Sequence, residues 1–241
     1  MNDKKTHLDY RGEELALFAL ATNWKKYWAT VLARYVTGNV AEVGAGLGAN
    51  TLMMWSAART EGWCCIEPDP LMANHLEQMQ RLGQLPERCV VHSGILSDIS
   101  RTLRFDTIVY IDVLEHIEDD CRELSEAAAH LNEGGRIVVL GPAWQHLFTP
   151  FDHQIGHFRR YTKQRLCKTM TDLEVEDAFY LDSVGYFASL MNKVLMRQSI
   201  PTRSQVLMWD TLMIPISRVL DRIICRQLGR SVVVVWRKAD G

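Results

Sequence analysis

The sequence predicts an α/β fold, a mostly parallel sheet with helices covering both faces. Short apolar runs alternate with segments whose apolar residues recur at helical spacing, which is the order a parallel sheet requires. A glycine cluster, Gly44-x-Gly46-x-Gly48, stands between the first such run and the helix after it. The chain of 241 residues is somewhat long for a minimal domain of about 150 to 200 residues, so one domain with additions is expected.

From Glu13 to Val36 the residues Leu15, Phe18, Trp24, Tyr27, Trp28, Val31, Leu32 and Tyr35 follow a helical period, marking one or two N-terminal helices. Asn39 to Val43 reads as the first strand and Asn50 to Ala58 as a helix. Trp63 to Ile66, Cys89 to His92 and Phe105 to Ile111 read as strands two to four, with a helix over Pro70 to Leu82. Strand four is nearly continuous in apolar residues, as strands buried on both faces are. Asp119 to Leu131 is predicted as helix, ended by Asn132-Glu133-Gly134-Gly135, and Arg136 to Leu140 as strand five. An irregular stretch from Gly141 to Tyr161 follows, the expected place for an acceptor site. A helix from Thr162, a sixth strand near Ala178 to Leu181, a helical addition and a last strand at Ser231 to Trp236, expected at the sheet edge, complete the chain.

Bulk composition narrows the function. Lysine and arginine total 27 against 29 acids, which leaves no basic footprint for nucleic acid and favours a small-molecule partner. The start is polar and no charge-free run approaches about 18 apolar residues, so a cytoplasmic protein without a membrane span is expected. Six cysteines show neither a C-x-x-C pair nor zinc spacing, and read as reduced thiols, mostly core, with Cys64 and Cys65 on a strand.

Glycines at a strand-to-helix turn let a ligand approach the backbone and the free N–H groups of the helix start. The same spacing serves a cofactor loop, a dinucleotide loop or a plain structural turn. Glu67, directly after strand two, is placed either to accept both hydroxyl protons of an adenosine ribose or to sit in solvent as a loop acid.

Four stretches taken in order resemble the class I S-adenosylmethionine-dependent methyltransferases: Val40-Ala41-Glu42-Val43-Gly44-Ala45-Gly46-Leu47-Gly48, Ile66-Glu67-Pro68-Asp69, Phe105 to Ile117 with Asp112-Val113-Leu114-Glu115-His116, and Leu131-Asn132-Glu133-Gly134-Gly135-Arg136. The resemblance implies a Rossmann-like, seven-stranded, mostly parallel sheet in one domain. Residues 1–38 would form an N-terminal helical cap, 39–185 the core, 186–228 a helical addition and 229–241 the last strand. It implies S-adenosylmethionine as cofactor. Gly44, Gly46 and Gly48 would line its methionine and ribose portions, Glu42 would order the loop, and Glu67 would hold the ribose. Ser93, Gly94 and Ile95 would flank the adenine, and Asp112 would face the methionine end. Many members carry an Asp directly after the glycine equivalent to Gly94; here Ile95 and Leu96 follow, leaving adenine to backbone, Ser93 or stacking. Asn23 to Trp28 and Phe151 to Tyr161, with its Gly156-His157-x-Arg159-Arg160-Tyr161 run, also resemble a bacterial subgroup often encoded beside glycosyltransferases.

Methyl transfer needs an acceptor held in line and dry, no metal, and often a base near neutral pH, for which histidine is suited. The candidates are His153, His157 and His116. The two loop histidines either act on the acceptor or dock the loop, with Arg159, Arg160 and Tyr161 able to bind an anionic substrate group, and His116 either faces the pocket or caps a helix. Tyr10, Trp24, Tyr27 and Trp28 form either a lid over the sulfonium or core. In the addition, Leu212, Ile216, Val219, Leu220, Ile223 and Ile224 make an apolar stripe flanked by Arg218, Arg222 and Arg226. That stripe packs on the domain or a second subunit, or meets a membrane or lipid-linked acceptor. The absence of an Asn/Asp-Pro-Pro-Tyr/Phe run after strand four argues against nucleic-acid amino groups, since Asp112-Val113-Leu114-Glu115 stands there. Attack on the carbon chain of the cofactor, a non-catalytic binding subunit and a dinucleotide oxidoreductase remain rival readings.

Overall fold

The computed structural model describes residues 19–193 and 202–241. Helix α1 (Thr22–Leu32) precedes β1 (Thr37–Val43), α2 (Ala49–Ala57), β2 (Arg59–Glu67), α3 (Pro70–Arg81), β3 (Cys89–Ser93) and β4 (Phe105–Ile111). Then come α4 (Asp120–Ala129), β5 (Leu131–Pro142), the short helices α5 (Pro150–Gln154) and α6 (Lys163–Cys167), and β6 (Glu174–Leu181). The addition comprises α7 (Ser183–Met191), α8 (Arg203–Met208), a π-turn Trp209–Met213 and α9 (Ile214–Ile223), before β7 (Ser231–Arg237). The N-terminal part of the expected first helix, and Tyr10, lie outside the described residues.

The seven strands run β3-β2-β1-β4-β5-β7-β6. All neighbouring pairs from β3 to β5 are parallel, and β7 is antiparallel to both β5 and β6. The last strand is therefore interior, not an edge. Its run of four valines and a tryptophan explains this: Val232, Val234 and Trp236 pack on one face of the sheet and Val233 and Val235 on the other, all buried. Because β7 runs backwards, its first residues lie at the carboxyl ends of its parallel neighbours, with Ser231 opposite Pro142. Strand five is longer than expected, since Leu131 already pairs with Phe105 before the irregular Asn132 to Gly135 segment.

One core lies under α1 and the addition, and the other under α4 and α6. Cys64, Cys65 and Cys89 are buried as strand thiols, whereas Cys121 and Cys225 are exposed, so only half of the cysteines are core.

The addition is held by three buried carboxylates. Helix α1 has no cap of its own, and Asp210 accepts from the N–H groups of Asn23 at 3.1 Å and Trp24 at 2.8 Å, satisfying the orphan donors of its first turn. Asp221 accepts from Tyr27 Oη at 2.7 Å and from the N–H groups of Asp182 and Ser183 at 2.7 and 2.9 Å. Asp182 accepts from Trp209 Nε1 and Ser217 Oγ at 2.8 and 2.7 Å. Helix α9 thus turns Ile214, Ser217 and Asp221 inward, and of the expected apolar stripe Leu212, Ile216, Val219 and Ile223 are exposed. No described helix is long and apolar enough to cross a membrane.

Candidate active site

The strand order reverses between β1 and β4, where open α/β sheets place ligands beyond the strand ends. At the end of β1 the chain turns through Gly44 at φ +71°, and a Cβ there would stand 2.6 Å from Val113 Cγ2, so only glycine fits. Glu67 leaves the adjacent β2 and ties this loop: its Oε2 accepts from Gly46 N–H at 2.7 Å and its Oε1 from Asp69 N–H at 2.9 Å. Gly48, at φ +78°, is the N-cap of α2, and a Cβ there would meet Leu76 at 3.0 Å; it serves packing. Glu42 lies beneath the loop and accepts from Thr51 Oγ1 at 2.6 Å and Trp63 Nε1 at 2.8 Å. Burial pushes its carboxyl up to about 7, against those two hydrogen bonds and the charge of Lys25.

A cavity of about 240 Å³ opens at these strand ends, between the glycine loop, α1 and the stretch after β5. Trp24, Trp28 and Lys25 of α1 line it together with Gly44, Gly46, Asp112, His116 and His157, with Trp209 and Arg230 contributed by the addition and the start of β7. Asp112 directly follows β4 at φ 55° and is exposed at the cavity. Desolvation by the surrounding protein raises its pKa, opposed by Lys25, His157, Arg230 and Arg160. Burial conversely lowers the pKa of Lys25, opposed by Asp112 and Glu42, and Lys25 Nζ donates to Asn50 Oδ1 at 2.8 Å. Arg230 is stacked 4.9 Å over the Trp209 ring. The cavity thus pairs an acid with cations and aromatic faces.

The stretch after β5 is organised by two acids. Asp152, 1 % exposed, receives Thr149 N–H and Oγ1 at 2.8 and 2.7 Å, Arg160 Nε and Nη2 at 2.7 and 2.9 Å, and His157 Nδ1 at 3.0 Å. Burial alone would raise its pKa, but the bonds from His157, Arg160 and Thr149 outweigh it and hold the carboxyl well below the usual range. An ionised Asp152 accepts from His157 Nδ1 and so fixes the ring, with Nε2 turned away from Asp152 and 3.8 Å from Glu115 Oε1. The His116 ring meets that of His157 edge-on at 4.5 Å. Asp120 takes the other half of the motif, from Arg159 Nη1 at 2.7 Å and Tyr161 Oη at 2.8 Å. Arg159 and Tyr161 therefore dock the loop, while Arg160 reaches the cavity and His157 does both. Glu115, His116 and His157 bring one ligand atom each within 4.8 Å of one another, a set able to hold a divalent cation.

Of the residues singled out by sequence, the fold brings Trp24, Gly44, Gly46, Asp112, His116 and His157 to one cavity. His153 is exposed on α5 and does not line it. Tyr27 is core, bonded to Asp221 beneath α1. Ser93 pairs with Glu67 across the β2–β3 ladder, and Gly94 N–H donates to Glu67 O at 3.0 Å, so the Ser93-Gly94-Ile95 turn lies beyond Glu67, outside the cavity lining. No carboxylate follows Gly94 directly; Asp98 Oδ2 closes the turn instead, accepting from Ile95 N–H at 2.9 Å and standing 2.7 Å from where a Gly94 Cβ would be. Sequence reasoning missed Lys25, Asn50, Asp152, Trp209 and Arg230 as lining residues. Trp209 and Arg230 carried no local signal, because their approach depends on the docking of the addition.

A sheet of this order, with a glycine loop clasped by an acid at its reversal point, defines an α/β enzyme built around a nucleotide-bearing cofactor. The family model described as "Methyltransferase domain" matches residues 20–176, and the chain belongs to that family. Among solved structures, the chain is similar to the YcgJ protein of Bacillus subtilis (14 % identity, TM-score 0.58, covering 90 % of this chain and 99 % of that one). It is also similar to coclaurine N-methyltransferase bound to N-methylheliamine and SAH (13 % identity, TM-score 0.58, 98 % and 75 %). The [4+2]-cyclase SpnF aligns as well (14 %, 0.59, 90 % and 82 %). No curated protein matches the chain. The family match supports S-adenosylmethionine as the cofactor.

Proposed function

We propose that this protein transfers the methyl group of S-adenosylmethionine to an oxygen or nitrogen of a small, anionic acceptor. The observation that carries this reading is the Asp152–His157 pair, which lines the same cavity as the glycine loop, Asp112 and three cations. The residues suit the cofactor: the side-chain-free approach at Gly44 and Gly46, the carboxylate of Glu67 behind them, and the aromatic faces of Trp24 and Trp28, which favour a positive sulfonium. When bound, the cofactor supplies an electrophilic methyl carbon and a neutral thioether leaving group.

The chain's own residues do the rest. His157 Nε2, with Nδ1 held by Asp152, would take the proton of an acceptor hydroxyl, or that of an ammonium before it attacks, freeing the acceptor lone pair for the methyl carbon that the cofactor would supply. Asp112 would offset the positive charges of the bound cofactor, and Arg160 and Arg230 would orient an acceptor carboxylate or phosphate. The tryptophans and the docked loop exclude water. Mass spectrometry of the nucleoside product tests this: S-adenosylhomocysteine supports methyl transfer. Methylthioadenosine would instead give the site to attack on the methionine carbon chain.

The Glu115–His116–His157 set favours a second reading of the same step, in which these residues hold a divalent cation that binds the acceptor oxygen. Turnover lost on chelation and restored by one added metal ion supports it; turnover indifferent to chelator leaves deprotonation to His157.

A further inference from the structure

Helix α9 is built inside out. Its buried side carries Ile214 with the polar Ser217 and Asp221, while Leu212 in the preceding π-turn and Ile216, Val219 and Ile223 in the helix are 58 to 71 % exposed. The stripe continues back to Met208 at helical spacing, and α7, packed against α9, adds exposed Phe187 and Met191. An apolar surface of this extent on two adjoining helices marks an interaction site.

Charge identifies the partner. From Ser183 to Arg226 the sequence holds two acids, Asp210 and Asp221, and both are buried in the contacts that dock the addition. Among the described residues, the exposed charges of this region are therefore all positive: Lys193, Arg203, Arg218 and Arg222. A two-fold dimer through this face would set apolar stripe on apolar stripe but also arginine against arginine, because such an interface meets its own copy. Anionic lipid headgroups above an apolar layer complement both features together.

We propose that the exposed face of α7–α9 docks in the plane of an anionic membrane surface, with Leu212, Ile216, Val219 and Ile223 in the acyl boundary and the arginines at headgroup level. The same helical run contributes Trp209 to the cavity lining. This does not depend on the reaction assigned to the cavity.

Co-sedimentation of the full chain with vesicles tests it. Binding is expected to vesicles of mixed phosphatidylglycerol and phosphatidylcholine, at least about tenfold weaker to phosphatidylcholine alone, and sharply reduced near 1 M salt, where the screening length is about 3 Å. Ile216→Glu with Val219→Glu should abolish binding, and Arg218→Gln with Arg222→Gln should weaken it about thirtyfold. Melting temperature and S-adenosylmethionine affinity are read alongside; if the glutamate pair lowers the melting temperature, the arginine pair carries the test. No binding to anionic vesicles overturns the proposal. So does a dimer in sedimentation equilibrium that the Ile216 and Val219 changes dissolve, which would assign the face to a second copy.

Discussion

His157 is held between two carboxylates, Asp152 Oδ1 at 3.0 Å from Nδ1 and Glu115 Oε1 at 3.8 Å from Nε2. The first is saturated by Arg160 and Thr149 and acts as a fixed orienter; the second lies on the cavity side. A histidine gripped in this way has a fixed orientation, as the proposed base requires, and it sits in the same motif that docks the loop.

His157→Ala is accordingly expected to lower kcat by about 10² to 10⁴ while leaving S-adenosylmethionine affinity within about twofold. His153→Ala, on the exposed side of α5, should change neither. Steady-state kinetics with calorimetry reads both, and an undiminished kcat for His157→Ala would remove it as the base.

Glu67→Ala frees Gly46 N–H and unties the glycine loop as well as removing the proposed ribose partner. The expected loss is about 1 to 3 kcal/mol of cofactor binding, or a Kd about 5 to 150 times higher. Unchanged affinity in calorimetry would contradict the ribose assignment.

Glu42 makes stability depend on pH. Its folded carboxyl sits at about 7 against an ordinary 4.5, because burial outweighs Thr51, Trp63 and Lys25. Between those values the folded chain keeps a proton that the unfolded chain has released. The contribution is therefore full below pH 4.5 and lost as pH rises through 7, with a span of about 3 kcal/mol. Glu42→Gln should flatten this part of the profile, so that wild type minus variant falls across the window in urea unfolding. Parallel profiles would mean that Glu42 does not titrate there.

Asp221→Ala leaves Tyr27 Oη and two backbone N–H groups buried without their acceptor. A loss of about 3 kcal/mol or more is expected in chemical denaturation, with Tyr27→Phe costing about 1 kcal/mol. If Asp221→Ala unfolds like wild type, the addition is not held through this carboxylate.

Much of this protein was legible because its signals are local. Alternating periods placed the strands and helices, and the glycine turn followed by Glu67 marked the cofactor end of the sheet, since backbone conformation and strand ends are set by neighbours in sequence. The Gly-His-x-Arg-Arg-Tyr run was visible as a unit, but its division between Asp152 and Asp120 was not, because side chains of one loop can face either of two acids until both are placed.

Sequence by itself determined the α/β class, the position of the glycine turn after β1 and the family resemblance. Tertiary structure decided that β7 is interior and that its reversed direction delivers Arg230 to the cavity. It also decided which side of α9 is inside. Hydrophobic pattern alone would bury the Ile216–Val219 stripe. Asp221 goes inward instead because the partners that compensate its burial, Tyr27 and the N–H groups of Asp182 and Ser183, come from segments 38 or more residues away in sequence.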